Sequence, residues 1–419
     1  MKVLLITGNI GSLFEEFGSA LQKNWLNQYS KLVESERPLF IGLHFQEIGG
    51  KSQVVDSEKI ATFFYELKRL PVHHGLSCFY SYIDKEYDEQ KYTALGCCYF
   101  IHQSLLSSIK VWNFKEKEFQ PLIEGEVLLE NYETVQKYKY PLSCFSKKTR
   151  RWPRKGFTWT RWNFKNEIID MVNVHLSHDA CNVSVSMKSV SKYSKYRKRA
   201  LVYTLEQLHT LPSYHHLLYG DFNVRPETKE LIEHIMKNKG NQVINHIHTN
   251  NNNNNKKDGK PYKVVYQSLN GSMKDLLIIE DRLFILHDYD DFAHDKIESL
   301  LQFDKELDWL KNDSFKEMQL NFIPTYPHVE DPYIEDYLVK DPYIENHHVE
   351  GSKEISFKHT FGNVRCPSWC DRILADSSFF EKYISCSSVY NIFGEHVILG
   401  DHKPVYMAFE FPFGLLADQ

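Results

Sequence analysis

The apolar positions along the chain fall into short, nearly continuous runs, and five of these runs lead to a polar residue able to do chemistry. VLLIT (3–7) leads to Asn9, LFIGLHFQ (39–46) to Glu47, IIDMVNV (168–174) to His175, HHLLYG (215–220) to Asp221 and Asn223, and VILG (397–400) to Asp401 and His402. Runs of this length without strict alternation suit strands buried on both faces. Polar residues at their ends then collect along one rim of a sheet, where loops carry function on a rigid scaffold. Five such endings predict one shared site. Helical patterns separate the strands. Leu21, Trp25, Gln28 and Leu32 predict a helix over 20–33, and Leu300, Phe303, Leu307 and Leu310 predict another over 299–311. Both stripes read as core-facing, and the alternation of strands with helices predicts the α/β class.

Two segments interrupt this pattern. Six asparagines at 250–255 followed by KKDGK mark a low-complexity surface insertion at about 248–260, with no apolar content to pack. A tract rich in Asp, Glu and His repeats DPYIE at 331–335 and 341–345, inside an insertion at about 327–360. Two copies are too few for a solenoid. The 419 residues would accommodate two or three average domains, but no linker separates them, so a single catalytic domain over 1–419 with two insertions is the expectation.

Composition narrows the class. A hydrophobic content of 42% with 25% charged residues suits a soluble globular chain. Nothing approaches the ~18 apolar residues of a membrane span, and the N-terminal run is too short for a signal-peptide core. The eight cysteines are scattered, and Cys366-x₃-Cys370 has no second pair, so reduced thiols in a cytoplasmic protein are expected rather than disulfides or zinc. The last four residues hold no cysteine for prenylation. A net charge of −5 argues against a dedicated nucleic-acid binder. Yet Lys147–Arg161 carries seven basic residues and Lys188–Arg199 six, with no acid in either stretch. These are either solvated faces or a mouth that collects phosphates. Trp152 and Trp159 within the first stretch would stack on a base or simply pack.

The polar residues at the strand ends match what Mg²⁺-assisted phosphate-ester hydrolysis needs. Hard cations take carboxylate and amide oxygens, which Asn9, Glu47, Asp221, Asn223 and Asp401 supply. A histidine near phosphorus handles developing charge, and His402 and His175 are candidates. Basic groups must neutralise the other phosphate oxygens; Arg225, Arg365, Arg372 and Lys403 lie close to these motifs. A P-loop is absent, because position 45 before Gly50-Lys51-Ser52 is Phe. No G-x-S-x-G supports a serine hydrolase, and a cysteine phosphatase is not expected.

GDFNVR (220–225), CPSWCDRIL (366–374) and GDHKPV (400–405) resemble the signatures of the magnesium-dependent inositol polyphosphate 5-phosphatases. TGNIGSLFE (7–15), FQEIGGK (45–51), RKGFTWTRW (154–162) and VNVHLSHDA (172–180) are similar to the type I group of that family. The resemblance runs from the first strand to about residue 410. It implies a four-layered α/β/β/α sandwich of the deoxyribonuclease-like type. It also implies Mg²⁺-dependent removal of the 5-phosphate from inositol 1,4,5-trisphosphate and from the 1,3,4,5-tetrakisphosphate, which ends a calcium signal. On this resemblance Glu47 is the principal metal ligand, with Asn9 and Asp401 near the ion. Asp221 orients and activates water, and Asn223 hydrogen-bonds the scissile phosphate. His402, held by Asp371, contacts that phosphate, and His175 assists at the leaving-group side. Lys155, Arg225, Tyr326, Arg365, Arg372 and Lys403 are phosphate-binding positions.

Structural readings stand beside these roles: Asn9 and Asn223 as turn formers, Asp371 and Arg372 as a structural salt bridge. His178 follows His175 by three residues where the wider family has four, so it takes no role. The expected partners are soluble inositol polyphosphates and not nucleic acid. The expected setting is the cytoplasm or the inner face of the plasma membrane, with peripheral association without a prenyl anchor and a monomeric state. The alternatives are a related metal-dependent nuclease and a non-catalytic inositol-phosphate binder.

Overall fold

The structure, a computed structural model, describes residues 1–11, 20–48, 56–70, 73, 75–128, 133–145, 153–188, 191–212, 215–238, 243–248, 263–268, 274–329, 361–394, 397 and 400–412. The DPYIE repeats, the asparagine run and Lys147–Trp152 lie outside these residues. The chain runs β1 (Lys2–Asn9), α1 (Ala20–Glu36), β2 (Phe40–Gln46), α2 (Asp56–Lys68), β3 (Cys78–Ile83), β4 (Gly96–Ile101), β5 (Ile109–Asn113), β6 (Glu118–Pro121), β7 (Gly125–Leu128) and β8 (Gln136–Lys139). Next come β9 (Gly156–Phe164), β10 (Glu167–His175), α3 (Asn182–Ser186), α4 (Lys192–Leu208), β11 (His215–Asp221), α5 (Thr228–Asn238), β12 (Val243–His248), β13 (Lys263–Ser268), β14 (Lys274–Glu280) and β15 (Leu283–Leu286). The remainder is α6 (Ile297–Leu301), α7 (Asp308–Asp313), β16 (Phe315–Lys316), β17 (Asp371–Asp376), α8 (Ser377–Tyr383), β18 (Val389–Ile392) and β19 (Val405–Glu410).

Among the described residues these strands form three sheets. The first has the order β18-β19-β1-β2-β4-β3-β7, and the second β16-β17-β11-β10-β9-β5-β6 with β8 added on β9. A small antiparallel sheet, β12 to β15, is not hydrogen-bonded to either but packs Val264, Leu277, Ile279 and Phe284 into the same core. The continuous apolar runs are explained by what covers each face. In β1, Val3 and Leu5 join Tyr99, Trp162, Met171, Leu217 and Met407 in the core between the two large sheets. Leu4 and Ile6 point the other way, toward Trp25, Tyr29 and Val33 of α1 and Phe63 and Leu67 of α2. Trp159, Val172, Leu218 and Leu374 of the second sheet meet Ala200, Leu201 and Leu208 of α4 and Leu310 of α7. Three apolar seams between four layers make the α/β/β/α sandwich.

Two expectations change. The 299–311 stripe is buried as predicted, but the helix is broken: α6 ends at Leu301 and α7 begins at Asp308, with turns between. Apolar spacing reports burial, and Leu300, Phe303, Leu307 and Leu310 are buried without one continuous helix. The expected strand VILG is not a described strand. Only its ends, Val397 and Gly400, are described, and the strand of this region, β19, begins after Asp401 and His402.

The seam between the large sheets carries polar contacts as well as apolar ones. His44 of β2 stacks on Tyr219 of β11, with centroids 3.5 Å apart. Its Nε2 bonds the Tyr99 hydroxyl at 2.9 Å, and its Nδ1 the Tyr219 carbonyl at 3.2 Å. Burial pulls its pKa down to about 3, against the backbone bond that favours the charged form. Gly220 sits opposite Val174 in the parallel pairing of β10 and β11, where a β-carbon would stand 2.0 Å from the Val174 carbonyl oxygen.

Two outcomes follow from these contacts. Gly220→Ala forces β10 from β11 and lowers stability by about 3 kcal/mol, read from urea unfolding; a change near zero would contradict the packing. His44 is neutral in the fold and protonates below about pH 6.5 when unfolded. Its stabilising contribution is therefore complete above that pH. It falls by up to about 1.4 kcal/mol per pH unit as pH drops from 6.5 toward 3. Unfolding free energies measured from pH 7 to pH 4 should fall less steeply in His44→Gln than in the parent.

Candidate active site

Strand direction delivers the candidate residues to one rim. β1 and β2 run parallel, so Asn9 and Gln46 pair at the same edge and Glu47 follows. β10 and β11 are also parallel, and His175 pairs with Asp221 at their ends. The antiparallel neighbours reach this edge at their starts: β9 at Gly156, opposite His175 and just after Lys155, and β17 at Asp371, opposite Asp221. β19 begins opposite Thr7, immediately after the Asp401–Pro404 segment. The 324–328 segment is clamped over this rim: Lys403 N–H donates to the Thr325 carbonyl, His328 N–H to that of Asp401, and Tyr326 exchanges bonds with Ser368.

The rim encloses a cavity of about 370 Å³ lined by Asn9, Glu47, Lys155, His178, Asp221, Asn223, Arg282, Tyr326, Arg365, Asp401 and His402. Glu47 and Asn223 both hold positive φ, at 55° and 52°. Non-glycine residues rarely adopt that region, and such residues concentrate at functional sites.

The polar contacts divide into two linked sets. In the first, His402 Nδ1 meets Asp371 Oδ2 at 2.8 Å, and the Thr325 hydroxyl donates to that same oxygen at 2.7 Å. Burial alone would lower the His402 pKa, but the Asp371 and Asp221 carboxylates overcome it and raise it to about 10. The imidazole is therefore a cation whose Nε2 is left for the cavity. In the second set, Asp221 Oδ2 accepts from Asn9 Nδ2 at 3.1 Å and Asn223 Nδ2 at 2.7 Å, and lies 3.3 Å from His175 Nε2. Burial opposes its charge, yet His402, His175 and Lys155 hold it ionised far below the ordinary carboxylate range. Lys155 Nζ hydrogen-bonds His175 Nε2 and lies 3.5 Å from Glu47 Oε1. Burial raises the Glu47 pKa, but Lys155 and His175 bring it down to about 2.

The donor set suits a hard cation. Asn9 uses its Nδ2 on Asp221, which turns its Oδ1 outward. That oxygen and Glu47 Oε2 lie 3.5 and 3.0 Å from where a β-carbon on Gly11 would stand, so glycine leaves open the space beside both. An amide oxygen and an ionised carboxylate, with the Asp401 carboxylate on the same cavity, are the oxygen ligands Mg²⁺ takes. Asp221, Asp371 and His402 also cluster closely enough to suggest a metal site. Within this cluster Asp371 Oδ2 is engaged by His402 Nδ1 and the Thr325 hydroxyl.

Several expectations need correction. Arg372 does not line the cavity. It follows Asp371 in β17, and alternation along the strand sends it to the opposite face, where it pairs with Asp304 at 2.6 Å and Glu317 at 2.9 Å, fully buried. The Asp371–Arg372 salt bridge is therefore absent too. Arg225 does not line the cavity; it stacks behind Tyr326 at 4.5 Å and donates to Asn223 Oδ1 and Cys370 Sγ. Asn223 spends both amide hydrogens on Asp221 and Leu176, so as placed it holds Asp221 and offers no hydrogen to a phosphate. His175, 1% exposed, lies beneath Lys155, Glu47 and Asp221, and Lys403 is buried away from the lining. Trp159 packs in the core, its N–H on Asp170. Cys366 and Arg372 have C-x₅-R spacing, but the thiol is buried, with its pKa pushed up to about 12, and the arginine faces away. Thr325 and Arg282 belong to the site although nothing in the sequence reading singles them out, and His178, given no role there, lines the cavity. Thr325 adjoins Tyr326 in the PTYP motif, whereas Arg282 sits on the turn between β14 and β15, far from any motif. Removing one partner of a buried pair costs about 3–5 kcal/mol. Arg372→Met should therefore lower the melting temperature sharply while the folded fraction keeps its substrate KM; a raised KM at unchanged stability would restore the phosphate-binding role.

No family model matches the chain. A Homo sapiens protein named inositol polyphosphate-5-phosphatase A is 33% identical over 419 residues, covering 97% of this chain and 92% of that one. A Caenorhabditis elegans protein named probable type I inositol 1,4,5-trisphosphate 5-phosphatase is 30% identical over 444 residues, covering 98% and 99%. Among solved structures, the inositol polyphosphate 5-phosphatase domain of a synaptojanin, in complex with inositol (1,4)-bisphosphate and calcium, is 14% identical with a TM-score of 0.47, covering 97% of this chain and 83% of that one. With sequence identity at this level sustained over nearly the full length of both partners, the chain belongs to the inositol polyphosphate 5-phosphatase family.

Proposed function

We propose that the protein is a Mg²⁺-dependent phosphomonoesterase that removes the 5-phosphate of inositol 1,4,5-trisphosphate, and of the 1,3,4,5-tetrakisphosphate, and so ends a calcium signal. The reading rests on one observation above the others: His402, fixed by Asp371, clusters with Asp221 at a cavity edged by oxygens of Asn9 and Glu47. The names of the relatives and the cationic lining of Lys155, Arg282 and Arg365 support the substrate class. The reading takes residues 1–419 as one catalytic domain with insertions at 248–260 and 327–360. It also takes the protein as a monomer that works in the cytoplasm or at the inner face of the plasma membrane.

Hydrolysis forms a bond from water oxygen to phosphorus and breaks the bond from phosphorus to the inositol oxygen. One proton of the water ends on the inositol hydroxyl, and the other is released or stays on phosphate. Asp221 accepts a hydrogen bond from the attacking water and so aims its lone pair; Asn9, Asn223 and His175 hold Asp221 in that pose. His402 donates Nε2–H to a phosphoryl oxygen and offsets the charge that develops there. Mg²⁺ held by Glu47, Asn9 and Asp401 would neutralise phosphate charge when bound. Lys155 and Arg365 bind the remaining phosphate oxygens, and Tyr326 packs its ring 4.6 Å from His402, which keeps the imidazole oriented. No covalent intermediate is needed.

Phosphate release from inositol 1,4,5-trisphosphate, followed with Mg²⁺ and with EDTA, tests this directly. Turnover should require the metal, and His402→Ala should lower kcat, referred to the folded fraction, by roughly 10²–10⁴-fold, with a melting temperature below the parent's because Asp371 loses its buried partner. Undiminished turnover in EDTA or in His402→Ala would overturn the mechanism, and cleavage of abasic DNA without release from the trisphosphate would replace the substrate.

A further inference from the structure

Arg225 is out of place for the reaction just described, and its surroundings explain why. It is 5% exposed, and its Nε is buried without a hydrogen-bond partner. The nearest carboxylate oxygen, on Asp179, is 4.0 Å away, and Asp179 is itself held by Arg197 at 2.8 Å. Arg225 forms the inner wall of a cleft of about 280 Å³ that shares no lining residue with the catalytic cavity. One side of the cleft is a face of α4 and the residue before it, with Ser191, Ser194, Lys195 and Lys198 at the i, i+3, i+4, i+7 spacing that aligns side chains. Lys188 adds a further ammonium, and the start of α5 and the 305–309 segment close the far side.

The charges do not cancel within the cleft. Its two acids are already engaged: Glu227 with Lys305 at 2.9 Å, and Glu306 with both the Arg197 guanidinium and the Arg225 backbone N–H. Lys198 lies over the Trp309 ring at 4.5 Å, which leaves its ammonium at the opening. Lys188, Lys195 and Lys198 thus stand together with no acid left to balance them among the lining residues. Lys195 and Lys198 also face a neighbouring cavity of about 460 Å³, lined further along α4 by Arg199 and one acid, Glu206. The helix starts at Lys192 and Thr228 add their positive ends to the same space. Three lysine ammoniums beside a buried arginine make an arrangement that takes a phosphate ester.

We propose that this cleft is a second phosphate-ester site, distinct from the catalytic cavity and separated from it by Arg225. Its ligand belongs to the class on which the catalytic cavity acts, presented either free in solution or as a phosphoinositide headgroup; this choice of class rests on the function proposed above. Calorimetry of the full chain in EDTA, with inositol hexakisphosphate as probe, should detect binding that Lys195→Glu/Lys198→Glu weakens roughly tenfold or more. That variant should hydrolyse the trisphosphate at the parent rate in Mg²⁺, whereas Lys155→Met/Arg365→Met should keep the cleft binding. Sedimentation with phosphatidylcholine vesicles containing phosphatidylinositol 4,5-bisphosphate separates the sources. A loss confined to vesicles in the α4 variant assigns the headgroup, and a loss confined to the soluble probe assigns the free ester. If the α4 variant binds both probes as the parent does, the site is refuted. If the parent hydrolyses nothing yet shows α4-dependent binding, the second site stands and the proposed function falls.

Discussion

The charges of the site are buried where one large sheet meets the other, and the site depends on that seam. His402 stands before β19 of the first sheet, and its partner Asp371 begins β17 of the second. Asn9 of β1 reaches Asp221 of β11. Glu47, which follows β2, meets Lys155 and His175 of the second sheet. Deeper in the seam Asn173 of β10 bonds Gln46 and the carbonyls of Phe45 and Gly96. An isolated buried charge is costly, and its partner must be held in good geometry to offset that cost. The His402–Asp371 and Glu47–Lys155 pairs join opposite sheets, so these charges are stable only when the sandwich is closed and in register.

This arrangement couples packing to chemistry. Gly220 lets β10 and β11 approach, and the same spacing sets His175 beside Asp221. Tyr219, next in the chain, carries the stack with His44 that fixes the sheets face to face. The left-handed backbone at Glu47 and Asn223 turns the chain just past the strand ends. Preorganisation of this kind costs folding stability at a few residues and leaves little reorganisation for the reaction itself. Thr325 is a compact instance: its hydroxyl donates to Asp371 and accepts from the Cys370 and Asp371 N–H groups, joining the clamping segment to β17.

The basic stretches resolve into different uses. Arg161 pairs with Asp170 and packs over Trp159 inside the second sheet, and Arg197 is buried with Asp179 and Glu306. Lys155 serves the cavity. The exposed lysines of α4 are left facing the cleft behind Arg225. A run of positive charge in sequence therefore separates into structural pairs, a site residue and an open electropositive surface.

The apolar runs by themselves placed Asn9, Glu47, His175 and Asp221 at strand ends, because a strand buried on both faces carries a polar group inside its length only where a buried partner meets it, as for His44, Asp170 and Asn173. The helical stripes marked core positions for the same reason. The tertiary structure decided the rest. Which of Asp371 and Arg372 turns inward depends on the phase of β17 against its neighbours, and both residues are polar, so no pattern in the chain separates them. Whether Arg225 touches substrate or stands behind it depends on Tyr326, a hundred residues further along. Arg282 reaches the cavity only because the small sheet presents the β14–β15 turn to it. Local periodicity records how deeply a residue is buried, whereas the partner it meets there is set by chain closure over long separations.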